Sequence, residues 1–551
     1  MSDQQWIMIW LVGQERLCLA KGMQEERRGS DVALVSGGNG GVATCVVDGD
    51  VREVVVSDDG SFSSPTTRSL SSLVFFNFDI FSKKEENIIQ GCPKPSPSPP
   101  RLPIIGNLHQ VIGKNFHQIL WKVSRQYGPI MTVHLGATPY VIISSSEFAN
   151  QALKTHDQIL CNRPRSKGFQ RLTFDYMDVA FSPHAEQWKE MRKVLVNEFL
   201  GSKRSKLFKK VVDAEVKGML DSFSSEHLNT TVNMDERLFH LVTDIVSKVA
   251  VGKSYREVTF RGKKLKEMLD DLVISLCGSV SDIYPGRIGL ILDEILGFNR
   301  RLEKTFSTFD AFLQMVLDEH IDLTETSGHE KDMIDACRSQ LTTNELKALL
   351  MNVLNGAIDT TTTTAVWTMS EIIKNPRVMQ KLQEEIRRCV GKKASVEESD
   401  IAQMSYLKLV VKEALRLHST VPFLLTRECV KHCQIGGYDI YPGTRVLINA
   451  WGIGRDPKVW TETASVFNPE RLENAELDRS EMIPFGGGRR ACPASSVATQ
   501  VVEYTIANLF YSFDWQLPSG MKNEELDMEE VGSLIVVRKT PLCLVPIKHD
   551  W

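Results

Sequence analysis

One cysteine in this chain has the surroundings of a metal ligand. It lies in Phe485-Gly486-Gly487-Gly488-Arg489-Arg490-Ala491-Cys492-Pro493-Ala494, a glycine-rich, doubly basic stretch near the C-terminus. Glycines permit positive φ and let a backbone pass close beneath a flat cofactor. Amides turned toward the sulfur and nearby arginines favour thiolate over thiol, and basic side chains can pair with cofactor carboxylates. The competing reading is a buried structural cysteine after a surface turn, because an unliganded cysteine commonly behaves as a small hydrophobe. Against it stands the fixed spacing of Phe485, Gly488, Arg490 and Cys492.

Two other places carry polar groups where they cost something. A long apolar helical run, Leu346 to Lys374, is interrupted by Gly356-Ala357-Ile358-Asp359-Thr360-Thr361. An acid and an alcohol inside an apolar helix are unfavourable unless they serve a purpose. The structural alternative is threonines bonding back to the preceding turn and bending the helix. Trp188 and Arg192 stand four apart, hence on one helical face, and Glu413 and Arg416 stand three apart, where acid and base can pair.

The elements that must hold these residues are mostly helical. Ile119 to Tyr127 reads as a helix, and Met131–Leu135 with Tyr140–Ser144 reads as a small hairpin. Lys203 to about Gln340 follows a helical period, and Cys433 to Asn449 alternates around a Pro442-Gly443 turn. Composition is that of a large globular core: 551 residues, 42% hydrophobic and 24% charged. A net charge of −4 gives no global pull toward nucleic acid. The 11 cysteines are scattered, as suits a reducing compartment, and Cys429 and Cys433 lack further ligands at zinc spacing.

Taken together and in order, these motifs resemble the cytochrome P450 family, in its plant microsomal form, over roughly Pro93 to Trp551. The cysteine stretch fits F-x-x-G-x-R-x-C, with Ala494 where the family usually has glycine. Gly356 to Thr360 fits the oxygen-binding motif A/G-G-x-D/E-T, with Ala357 in place of its second small residue. Trp188 and Arg192 match the W-x-x-x-R that donates to a haem propionate, and Arg427 matches the second propionate arginine. Glu413, Arg416 and Arg471 match the structural Glu-Arg-Arg triad. The stretch from Arg471 to Pro484 is short for the family.

The resemblance implies a mainly helical, triangular fold with a small β-rich lobe, and haem b between a long central helix and the Cys492 loop. Cys492 is then the iron ligand, and Phe485, Gly488, Arg490 and Ala494 shape its loop. Asp359 serves as a proton relay and Thr360 as a hydrogen-bond donor to oxygen. The activity implied is insertion of one atom of O2 into a lipophilic small molecule of specialised metabolism, with electrons from NADPH through NADPH-cytochrome P450 reductase. Contacts to substrate are expected around Ala180-Phe181, Ala357 and Ser419 to Leu425. Two alternatives remain open at this stage, an isomerase or dehydratase of the same fold acting without O2, and a catalytically impaired haem-binding protein.

The N-terminal part does not match. Pro93, Pro95, Pro97, Pro99, Pro100 and Pro103 form a stiff spacer that cannot be helical. It divides an atypical extension, 1–92, from a catalytic domain, 93–551. Trp6 to Val12 is too short for a membrane span. Gly38 to Ala43 imitates a dinucleotide fingerprint, but Val42 to Val47 reads as a strand where a helix should follow. The family location is the cytosolic face of the endoplasmic reticulum membrane. Here the expectation is weak association through apolar surface near the spacer and the Leu73–Phe78 run.

Overall fold

The computed structural model describes the strands Val42–Val47 and Asp50–Val55, and residues 94–550 apart from 114, 202–203, 327–331, 474–480 and 533. The runs at Trp6–Val12 and Leu73–Phe78 lie outside the described residues, as does most of the stretch between Arg471 and Pro484. Two compact units divide the chain, Met1–Pro93 and Lys94–Trp551. In the first, β1 (Val42–Val47) pairs antiparallel with β2 (Asp50–Val55), with Val47 opposite Asp50. An Asp-Gly pair between β-rich runs is the sequence signature of such a hairpin.

In the second unit, Lys94 to Arg101 runs without helix or strand. It is tied down by polar contacts instead. Thr132 N–H donates to the Pro97 carbonyl at 2.8 Å, and the buried Asn107 amide donates to the carbonyls of Pro99 and Pro100 at 3.2 Å each. Helix α1 (Phe116–Tyr127) follows, then β3 (Ile130–Leu135) and β4 (Thr138–Ile143) as the expected antiparallel hairpin. The helical body comprises α2 (Glu186–Val194), α3 (Ser205–Ser222), α4 (Met234–Val251), α5 (Arg287–Ile295), α6 (Phe298–Thr326), α7 (Thr343–Lys374), α8 (Pro376–Val390) and α9 (Ser405–Leu417), with shorter pieces between. The chain then returns to the sheet through β5 (Arg427–Glu428), β6 (Cys433–Ile435), β7 (Tyr438–Ile440) and β8 (Arg445–Ile448). It ends with α10 (Ser495–Ser512), β9 (Phe513–Gln516) and β10 (Cys543–Lys548) among the last elements. The main sheet has the order β3-β4-β8-β5, with β4 and β8 parallel, so the helical body is one long crossover between two neighbouring strands.

Helix α7 is the axis of the unit, 32 residues or about 48 Å long. It starts with a capping box: Thr342 N–H donates to the Glu345 carboxylate at 2.9 Å, and Glu345 N–H donates back to the Thr342 hydroxyl. It stops at Asn375 because Pro376 disfavours a helical residue before it. One apolar cluster packs its C-terminal half against α4, α9 and α10; a second packs its N-terminal half against α4 and α6. The sequence places the polar Gly356–Thr361 segment inside one long apolar helix. The helix runs unbroken through this segment. What marks the segment is exposure, since Gly356 is exposed and Ala357, Asp359 and Thr360 are half-buried within an otherwise buried rod.

Candidate active site

The Cys492 loop is built by its glycines and by one carboxylate that sequence reasoning missed. Gly486 and Gly488 take φ values of +69° and +66°, a region that disfavours any side chain. Gly488 is further constrained, because a β-carbon there would overlap both Asp157 Oδ1 and the Leu153 carbonyl oxygen. Asp157 is buried, and it accepts from Arg427 Nη1 at 3.1 Å, from Arg489 N–H at 3.1 Å and from Arg489 Nη1 at 2.8 Å. The turn closes where Cys492 N–H donates to the Phe485 carbonyl at 2.9 Å. Nothing in the spacing around Asp157 marks it, since its partners lie 270 and 332 residues away.

Cys492 itself precedes α10 by three residues, with Ala494 as the N-cap. The residue as a whole is exposed, yet desolvation by the surrounding protein pushes the thiol pKa up, opposed by the Ala494 N–H and the Arg192 charge. Metal coordination would deprotonate it outright.

The basic residues converge on this loop. Arg192, on α2, donates from Nη2 to the Ala491 carbonyl at 2.8 Å. Arg427, on β5, donates to the Gly487 carbonyl at 2.8 Å as well as to Asp157. Arg490 is buried and donates to the carbonyls of Cys161, Val179 and Ser182 at 2.9, 3.3 and 2.7 Å. Burial lowers its pKa to about 10, so it remains a cation at neutral pH. Its guanidinium lies 4.1 Å from the centroid of the Trp188 ring, a cation–π contact. Trp188 departs from expectation. Its indole N–H donates to the Val179 carbonyl at 2.9 Å, and with a single donor it can serve one acceptor. In this structure it is a platform for Arg490 rather than a donor to a cofactor carboxylate.

Thr360 departs in a similar way. Its hydroxyl donates to the Gly356 carbonyl at 2.6 Å, so the proton expected to reach oxygen is engaged by the helix, and the lone pairs are what it offers. Asp359, its neighbour, is half-buried and already engaged in an interaction of its own.

The triad is assembled as the sequence predicts. Glu413 Oε2 accepts from Arg416 Nε at 2.8 Å, and Glu413 Oε1 accepts from Arg416 Nη2 at 2.7 Å and from Arg471 Nε at 2.8 Å. Both Glu413 and Arg416 side chains are 0% exposed. Of the expected substrate contacts, Phe181 belongs to the second apolar cluster, and Ala180, Ala357 and Leu425 pack against that cluster.

The residues present fit a haem. An exposed cysteine stands on a glycine turn, guanidiniums with N–H groups to spare flank it at Arg192 and Arg427, and a β-carbon at Gly356 would meet nothing within 4 Å. A helical fold with this cysteine loop and buried triad defines a haem-thiolate enzyme. The family model described as Cytochrome P450 matches residues 96–544, and the chain belongs to that family. Eupatolide synthase of Helianthus annuus is 55% identical over 454 residues, 82% of this chain and 91% of that one. Parthenolide synthase of Tanacetum parthenium is 52% identical over 464 residues, 82% of this chain and 92% of that one. A zebra fish cytochrome P450 solved with abiraterone shares the fold, with a TM-score of 0.67 at 21% identity over 80% of this chain and 100% of that one.

The protein is thus a plant-type haem-thiolate monooxygenase of specialised metabolism, with haem b as cofactor and NADPH as indirect electron source through a reductase. The isomerase, dehydratase and impaired-protein alternatives are not favoured.

Proposed function

We propose that the substrate is a sesquiterpene lactone or its immediate precursor, the compound class named in the two synthases that share more than half of their aligned residues with this chain. The observation that carries the reading is that Phe181 belongs to one apolar cluster and Ala180, Ala357 and Leu425 pack against the same cluster, which puts apolar side chains next in sequence to the exposed Gly356 of α7, as suits a lipophilic skeleton. Haem, when bound, supplies oxygen activation, with a thiolate ligand pushing electron density toward O–O cleavage. Cys492 would be that ligand. Arg192 and Arg427 would hold the cofactor carboxylates, while Arg490 and Trp188 brace the loop. Thr360, whose hydroxyl donates to the Gly356 carbonyl, would offer its lone pairs to a donor on the haem side. Asp359 relays protons from solvent.

The catalytic domain in this reading is 93–551, with 1–92 an extension. NADPH-cytochrome P450 reductase would dock on the cysteine side through Lys189, Lys193 and Arg489. The enzyme would sit on the cytosolic face of the endoplasmic reticulum, its apolar surface near the proline spacer resting weakly on the membrane. Among the described residues, no helix is long and apolar enough to cross one.

The test is a titration of the purified holoenzyme, following the haem band as ligands displace axial water. Parthenolide and eupatolide should shift the band at lower concentration than phenolic or amino-acid-derived compounds. With reductase, NADPH and labelled O2, one labelled oxygen atom should enter a sesquiterpenoid substrate. Preference for the phenolic or amino-acid-derived set would overturn the assignment.

A further inference from the structure

Arg163 is an interior cation that no motif in the sequence singles out. It is 4% exposed, and no ion pair with a described carboxylate engages it. Three hydrogen bonds to backbone carbonyls hold it instead. Nε donates to Ala180 O at 2.9 Å, and Nη1 donates to Leu425 O at 2.6 Å and to Thr426 O at 2.8 Å. Burial, with the charges of Arg490 and Arg427 close by, drives its pKa well down. Burying a guanidinium in this way is unfavourable unless its donors are spent on something fixed.

What they fix is the gap between two loops. Ala180 and Phe181 belong to one, Leu425 and Thr426 to the other; Phe181 is part of an apolar cluster and Leu425 packs against that same cluster. The first loop is also held from the opposite side. Asn352, on α7 one turn before Gly356, accepts from Val179 N–H at 2.7 Å and Ala180 N–H at 3.2 Å. Asp178 accepts from Ala180 N–H, Phe181 N–H and the Asn352 amide at 3.0, 2.9 and 3.1 Å. The neighbouring Asn162 repeats the bridge, accepting from His184 N–H at 2.9 Å and donating to the Glu428 carboxylate at 2.8 Å. With α7 as the fixed reference on one side, Arg163 is the direct link between the two walls.

We infer that Arg163 is a positioning residue for substrate selection: its fork of hydrogen bonds sets the separation of the walls carrying Phe181 and Leu425. The inference rests on the proposal that these walls face the substrate. A lysine cannot replace it, because one ammonium on a flexible stem does not reproduce a planar fork reaching three carbonyls.

The test uses the holoenzyme and its Arg163→Lys and Arg163→Gln variants, titrated with 1-alkylimidazoles from methyl to dodecyl while the haem band is followed. The imidazole nitrogen reports the iron, and the alkyl chain reports the walls. In the unaltered enzyme affinity should climb with chain length. In both variants 1-methylimidazole should bind as before, while the gain from methyl to dodecyl shrinks by about ten-fold or more. A flat series in the unaltered enzyme would overturn the wall assignment itself. An undiminished gain in haem-bearing variants, equal weakening of methyl and dodecyl, or loss of haem from both variants would overturn the role given to Arg163 alone.

Discussion

Asp157 lies directly against Gly488, with its carboxylate in the space that any side chain at that position would need. The same carboxylate binds Arg427 and Arg489, so one buried acid fixes the cysteine loop and an arginine beside it. Gly488→Ala should therefore abolish haem uptake. Asp157→Ala should leave Arg427, 3% exposed, as an unpaired buried cation, at a cost of about 3–5 kcal/mol. Haem content and thermal unfolding of the purified variants measure both. Full haem occupancy in Asp157→Ala would show that the loop holds its shape without the acid.

Cys492→Ser should lose the red-shifted band that reduced thiolate-ligated haem gives with carbon monoxide. A second expectation comes from the thiol's raised pKa. Because the proton must leave when iron binds, haem uptake by the apoprotein should weaken as pH falls. Uptake that does not vary with pH would mean that the thiol is already ionised before iron arrives.

How much of this could be read in advance depended on range. The Cys492 loop, the Gly356–Thr360 segment and the Glu413–Arg416 pair are short motifs whose members are near neighbours, and their types and spacing announced them. The β3–β4 hairpin and α7 followed from local periodicity in the same way. Asp157 and Arg163 did not, because each matters through partners far along the chain, such as Arg427 for Asp157 and Leu425 for Arg163. Trp188 and Thr360 were singled out by their motifs, and in the structure a backbone carbonyl within reach engages the donor of each. Sequence spacing carries no information about that competition.

Thr360→Ala should retain haem and consume NADPH while releasing more peroxide, with product formation reduced by about 10²-fold. Thr360→Ser keeps a hydroxyl that can bond the Gly356 carbonyl and should restore most of the coupling. The ratio of NADPH consumed to product formed reads this directly. Equal ratios in Ala and Ser variants would assign the hydroxyl to helix structure only.

Glu530 gives the unit an acid limit. This buried carboxylate accepts from His117 Nε2 at 3.0 Å, Gln118 Nε2 at 2.9 Å and Trp451 Nε1 at 3.0 Å, with Arg455 3.6 Å away. Burial alone would raise its pKa, but the hydrogen bond from His117, the proximity of His418 at 3.4 Å and the charge of Arg455 outweigh burial and hold it well below the usual carboxylate range. The unfolded chain then binds the proton first. Stability from this group is complete above the ordinary glutamate pKa of about 4.3 and declines as pH falls below it toward the folded value. Glu530→Gln should lower stability at neutral pH by about 3–5 kcal/mol and flatten the acid limb of a stability-against-pH curve. An acid limb of unchanged slope in the variant would assign the acid sensitivity to other carboxylates.

The last prediction concerns α5, whose apolar side faces solvent. Ile288, Ile291 and Ile295 are 71%, 57% and 72% exposed, and their spacing of three and four places them on one helical face. The proline spacer adds Leu102 at 43% and Ile104 at 63%. These are parts of one connected region. Gly106 bridges Leu135 at the end of β3, and Ala137 N–H in the following turn donates to the Ile283 carbonyl at 2.9 Å, just ahead of α5. Exposed apolar side chains grouped on one helical face mark an interaction site, and a helix with such a face can lie in a bilayer interface without spanning it. Adding phosphatidylcholine vesicles to the full chain should therefore slow backbone hydrogen exchange in residues 287–295 and 102–106. Ile288→Glu, Ile291→Glu and Ile295→Glu together should remove that protection while leaving the carbon monoxide band intact. The readout is local, so it does not depend on how the first ninety-three residues behave. If exchange in 287–295 is indifferent to vesicles, this face does not meet the membrane.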